Sequence, residues 1–135
     1  MSAAAYLLAA VLVGLGSGLG ALARWGLREL LTRAAAARAA GGGDRVRPWA
    51  TFGANLLACF LTGIVVAQLG SATGAGEFVY LLLAVGFCGG MSTLSTAAFD
   101  IVELVRRTTF SMALAYLMLS AGCGMAALWL GLAVG

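Results

Sequence analysis

Apolar residues fill four stretches of the chain, at 1–23, 48–76, 78–99 and 108–135, and none of the four holds a charged residue, with Arg47 counted as a flank. Each supplies the roughly 20 residues that cross a bilayer, so the pattern predicts four transmembrane helices in a single domain, 1–135. The third stretch carries an internal irregularity. Gly86-Phe87-Cys88-Gly89-Gly90-Met91-Ser92-Thr93-Leu94-Ser95-Thr96 sets three glycines ahead of four hydroxyls. Glycine is a weak helix former, and Ser and Thr side chains compete for nearby backbone groups, so this run is where a membrane helix breaks. Backbone groups freed there are tolerated only when buried in protein or facing a polar cavity, which marks the run as a candidate site.

Composition agrees with the pattern. Of 135 residues 62% are hydrophobic and 10% charged, with one proline and no histidine, and the mean hydropathy is +1.03. That composition belongs to an integral membrane protein and not to a soluble globular domain. Ala21-Leu22-Ala23 has the small-x-small form of a signal-peptide cleavage site. No positive residue precedes the first apolar run, however, and the run is long enough to span, so it is expected to stay. Cys59, Cys88 and Cys123 lie inside the spans with no CxxC spacing, which fits small packing residues.

Charge orients the chain. All eight positive residues are arginines: Arg24, Arg28, Arg33, Arg38, Arg45 and Arg47 around the first connection, Arg106 and Arg107 around the third. Four spans put both connections on one side, and the positive-inside rule makes that side cytoplasmic, with both termini extracytoplasmic. The bias leaves little room for insertion both ways.

Finer features follow along the chain. Gly14, Gly16, Gly18 and Gly20 make two overlapping GxxxG pairs, expected to form one flat strip for ordinary helix packing. Arg24-Trp25 marks the cytoplasmic boundary, and 32–47, with Gly41-Gly42-Gly43, reads as a partly helical, flexible connection. Pro48 is expected to begin the second helix, where its missing N–H costs nothing. Thr51, Asn55, Cys59 and Thr62 form a polar stripe along it; a carboxamide in hydrocarbon needs partners, so Asn55 faces another helix or a pore. The third helix is expected from Phe78 to about Arg107, with Asp100, Glu103, Arg106 and Arg107 on a solvated end. In the fourth, at about 110–132, Tyr116 lies deep enough that its phenol needs a partner.

These features together resemble the Fluc (CrcB) fluoride channel family. The motifs are Gly20-Ala21-Leu22-Ala23-Arg24, Pro48-Trp49-Ala50-Thr51-Phe52-Gly53-Ala54-Asn55 and the run 86–96. The resemblance covers nearly the whole chain. It implies an all-α membrane protein, dimeric with antiparallel subunits, in the plasma (inner) membrane. Fluoride is the expected permeant ion, with a structural, untransported sodium ion at the dimer centre on the backbone carbonyls of Gly89 and Ser92. Asn55, Thr51, Ser95, Tyr116 and, less centrally, Thr96 would line the fluoride path, and Arg24 would draw anions to the vestibule; interhelical hydrogen bonding is the plainer account of each. Donors of this kind can replace the water of a small, strongly hydrated anion.

Two positions depart from the family pattern. Where it has phenylalanines whose ring edges face fluoride, this chain has Leu94 and Ala97. A pore built from this subunit's own third helix is therefore expected to conduct poorly. With the single orientation, this points to one half of a heterodimer whose oppositely oriented homologous partner supplies the rings. A non-conducting scaffold or regulatory subunit is the other reading. A small multidrug exporter would need a membrane-embedded carboxylate, but the first predicted helix has no Asp or Glu and Asp100 is the first acid along the third. No nucleophile–base pair, phosphate loop or metal-ligand cluster points to an enzyme, and no nucleic-acid partner is implied.

Overall fold

The computed structural model describes residues 2–38 and 42–135, with the backbone alone at 42–45. Every regular element among them is helical: α1 (Ala3–Ala36), α2 (Gly42–Leu69), α3 (Ala75–Tyr80), a π-helical stretch (Leu81–Cys88), α4 (Gly89–Met91), α5 (Leu94–Arg107) and α6 (Phe110–Val134). Four spans are long and apolar enough to cross a membrane: Ala3–Ala36, Val46–Leu69, Ala75–Arg107 and Phe110–Val134.

Several boundaries move from those the sequence predicts. α1 has 34 residues, roughly 50 Å at the helical rise, so it continues 12 residues past Arg24 and makes the first part of the expected loop a helix. Its start is capped by Ser2, whose hydroxyl accepts the Ala5 N–H at 3.3 Å. The glycine run falls partly on residue 41, outside the described residues; from Gly42 the chain is helical again. Pro48 therefore lies inside α2 and does not begin it. It removes one N–H from the second turn, a single missing bond that the rest of the helix carries. The third span begins at Ala75, just after Gly74, whose φ of 64° closes the outer turn in a conformation that L side chains rarely adopt.

Packing follows from where side chains are missing. α1 lies along the π-helical stretch, α4 and α2, while α2 lies along α6. The four α1 glycines do not form one strip. Residues two apart on a helix point to nearly opposite faces. Gly16 and Gly20 are buried, and a Cβ at either would enter the backbone of the third span, at Leu82 to Phe87 and at Phe87 to Met91 respectively. Gly90 meets the Ser17 backbone in return, whereas Gly14 and Gly18 face open space. A second close approach joins Gly63 of α2 to Gly131 of α6. The core is thus made of small residues, among them Ala50, Ala54, Ala58 and Ala113, each 1% exposed, while Leu7, Leu15, Leu22 and Trp129 point outward. An apolar exterior over a small-residue interior is the arrangement of helices packed in lipid.

Candidate functional site

The third span loses its helix at two residues. Ser92 (φ −73°, ψ 146°) and Thr93 (φ −150°, ψ 117°) are extended between α4 and α5. Their backbone groups fall at membrane depth, so the question is what satisfies them. The last α4 bond runs from Ser92 N–H to Cys88 C=O at 2.9 Å. Thr93 N–H, which in a continuous helix would close on Gly89 C=O, donates instead to Asn55 Oδ1 of α2 at 2.8 Å. Asn55 Nδ2 returns a 3.4 Å bond to Thr93 C=O. Thr96 N–H, which would close on Ser92 C=O, donates to Thr93 Oγ1 at 3.3 Å, so Thr93 is the N-cap of α5.

The interruption takes the four carbonyls of Gly89, Gly90, Met91 and Ser92 out of the helical ladder, those of Gly89 and Ser92 through these two exchanges. Ser92 C=O accepts a 3.4 Å bond from Arg24 Nη1, while Gly89 lies exposed on the outer side. Carbonyl oxygens released three residues apart are a donor set suited to a hard cation such as sodium. The Arg24 guanidinium opposes a cation at Ser92, because it already offers that oxygen a positive charge. Among the described residues no group of three His, Cys, Asp or Glu side chains stands close enough to hold a metal.

The remaining expected residues divide between this centre and its surroundings. Thr93 Oγ1 also donates to Thr96 Oγ1 and shares a hydrogen bond with Ser95 Oγ, both at 3.2 Å. Arg24, Thr51 and Thr96 border one crevice of about 150 Å³. Thr51 is buried, its hydroxyl donating to Arg47 C=O at 3.3 Å. Tyr116 stands apart: its hydroxyl donates to Pro48 C=O at 2.9 Å, with its ring edge-on to Trp49 at 6.5 Å. Leu94 is 84% exposed, whereas Ala97 is buried. The two positions that lack aromatic rings therefore face different surroundings, one outward and one into the subunit.

The structure corrects the charge reading and adds residues. Asp100 is not on a solvated end; it is 2% exposed, and its Oδ2 has no hydrogen-bond partner among the described residues. It lines a hollow of about 240 Å³ with Arg47, Glu103 and Arg107. The expected pairing holds farther along, where Arg107 meets Glu103 at 2.6 Å. Thr93, Ala97 and Asp100 fall at i, i+4 and i+7, a spacing that could have placed all three on the packed face. Thr93 is a residue of this centre that the sequence reading did not put among the candidates, because its bonds to another helix run from its backbone. Ser17, whose hydroxyl donates to Gly86 C=O at 3.4 Å, was likewise not singled out, and the Ser120 hydroxyl of α6 is buried with no partner among the described residues.

Four apolar spans around a small-residue interior, with one span interrupted and bonded from its neighbour, define a small multi-pass membrane protein. The family described as "CrcB-like protein, Camphor Resistance (CrcB)" matches residues 11–132. A protein named "Fluoride-specific ion channel FluC" from Novosphingobium aromaticivorans is 34% identical over 126 residues, 93% of this chain and 94% of its own. One of the same name from Phenylobacterium zucineum is 37% identical over 125 residues, 92% of each chain. "Fluoride-specific ion channel FluC 1" from Ligilactobacillus salivarius is 35% identical over 119 residues, 88% of this chain and 92% of its own. The chain belongs to the CrcB-like family, in agreement with the motif resemblance, and these relatives are named as ion channels and not as enzymes.

Proposed function

We propose that this chain is a subunit of a fluoride-specific channel that lets fluoride leave the cytoplasm passively across the plasma membrane. The carrying observation is the family match over 11–132, joined to a polar centre of Asn55, Thr93, Ser95 and Thr96 in an otherwise apolar bundle. Fluoride holds its water strongly, so a route for it must offer hydrogen-bond donors in series. Arg24, Thr51 and Thr96 bordering one crevice supply a positive charge and hydroxyls, and Asn55 has amide hydrogens to offer beyond them. Tyr116 and Ser95 complete the proposed path.

The assembled channel is an antiparallel dimer, with the arginine-rich connections of this subunit cytoplasmic and its termini outside. A sodium ion at the dimer centre would be held by the Gly89 carbonyl and, with Arg24 turned away from it toward the vestibule, by that of Ser92, without being transported. The arginine bias permits one orientation, so the partner is a homologue inserted the other way, supplying ring edges where this chain has Leu94 and Ala97. A non-conducting scaffold subunit is the second reading, favoured by the absence of a ring at either position.

Proteoliposome efflux, followed with a fluoride electrode, tests these readings. The chain alone should pass little fluoride, and co-reconstitution with an oppositely biased homologue should restore flux. Full efflux from the chain alone would sink the heterodimer. If the pair conducts only through routes abolished by variants of the partner and never by variants of this chain, the scaffold reading replaces conduction. Leu94→Phe, placed on an outward face, should raise efflux about tenfold, equivalent to roughly 1.4 kcal/mol of barrier.

A further inference from the structure

We infer that Asn55 is the positioning residue of the third-span interruption: by accepting the Thr93 N–H it keeps the Gly89 carbonyl free for a hard cation. The inference rests on the sodium-bridged reading above and adds to it a side chain on a different helix. The Thr93 N–H has two partners within its reach along the chain's own geometry. One is Gly89 C=O, by continuation of the helix. The other is Asn55 Oδ1, at 2.8 Å, with Thr93 extended. An N–H buried at membrane depth must take one of them, because leaving it unpaired costs several kcal/mol.

The geometry of α2 makes Asn55 a firm competitor. Its neighbours Ala54 and Ala58 are 1% exposed, so the helix face that carries it is packed and the carboxamide cannot drift far. The acceptor must be the oxygen, since the group facing it is an N–H. That assignment turns the amide nitrogen toward Thr93 C=O at 3.4 Å, and a second amide hydrogen remains for an anion. One side chain therefore serves both ions: Oδ1 maintains the carbonyl site and Nδ2 faces the route. The two functions separate by substitution. Asp keeps an acceptor for Thr93 N–H but has no amide donor, while Leu keeps the approximate volume and removes both.

The test uses the purified assembled channel, including the partner homologue where assembly requires it. Thermal unfolding is compared in sodium chloride and in N-methylglucamine chloride at equal ionic strength, alongside fluoride efflux. The native protein should melt about 5 °C or more higher in sodium. Asn55→Asp should keep that difference while losing fluoride efflux, and Asn55→Leu should lose both. A sodium difference retained in Asn55→Leu, or lost in Asn55→Asp, overturns the positioning role while leaving the sodium reading in place. If Asn55→Leu yields no folded protein, Asn55→Asp decides alone. A native protein that melts alike in both salts overturns the sodium site itself, and the inference with it.

Discussion

The third span is held in two different ways on either side of Ser92. Upstream, the π-helical stretch and α4 are held chiefly by shape: Gly16 and Gly20 of α1 and Gly90 of α4 let two backbones touch, with one side-chain bond beside them, from Ser17 to Gly86 C=O. Downstream, α5 is held by directed bonds, from Asn55 to Thr93 and from Thr93 to Thr96, with Ala97 and Asp100 packed on the same face. In lipid there is little hydrophobic force between helices, so close packing and hydrogen bonding are the two means available, and this span uses one on each side of its interruption. The half held by shape should be more sensitive to added volume than to changes of polarity. The half held by bonds should tolerate added volume on its outward face and be sensitive to lost donors and acceptors.

Substitutions in each half probe that contrast, and the largest effect is expected upstream. Gly20→Val places side-chain atoms inside the backbone at Phe87; overpacking of about 3 kcal/mol or more should leave little monodisperse protein on size-exclusion chromatography. Gly18→Ala, on the open side of the same helix, should be neutral or stabilise by up to about 1 kcal/mol. Equal sensitivity at Gly18 and Gly20 would break the comparison.

Next in size is Thr93→Val, which keeps the volume but removes the cap hydroxyl. Losing an N-cap costs about 1–2 kcal/mol, visible as a lower midpoint in denaturant, and Thr93→Ser should recover most of it. Tyr116→Phe then removes one bond, to Pro48 C=O, and should cost about 1 kcal/mol while keeping the edge-on packing against Trp49. Smallest is Ser120→Ala. Its hydroxyl is buried without a partner among the described residues, so removal should be neutral or stabilising by up to about 1 kcal/mol, read as an unchanged or higher melting temperature. A marked loss at Ser120 would show that the hydroxyl serves a group supplied on assembly.

Much of the architecture was legible before the fold was known. Four spans followed from uninterrupted apolar stretches, and the glycine and hydroxyl run singled out the segment in which Ser92 and Thr93 are extended. Tyr116 was expected to need a partner, and it has one in Pro48 C=O. Other positions were misplaced for identifiable reasons. Asp100 was assigned to solvent because charged neighbours follow it, although its i+7 relation to Thr93 puts it on the packed face. Pro48 was read as a helix start, yet α2 begins at Gly42, since one missing N–H in the second turn does not stop a helix. The α1 glycines were read as one strip, although alternate residues cannot share a face.

By itself the sequence determined the membrane class, the number of spans, the family motifs and the residue types available at the interruption. These depend on hydropathy and local propensity, which each stretch carries wherever it sits. Tertiary structure alone decided that Asn55 meets Thr93, that the Thr93 and Thr96 N–H groups bond to side chains, and that Gly16 and Gly20 are covered while Gly14 and Gly18 are not. Those outcomes depend on the rotation and axial register of one helix against another. Backbone close approach sets both, and no single stretch of sequence contains the surface it will meet.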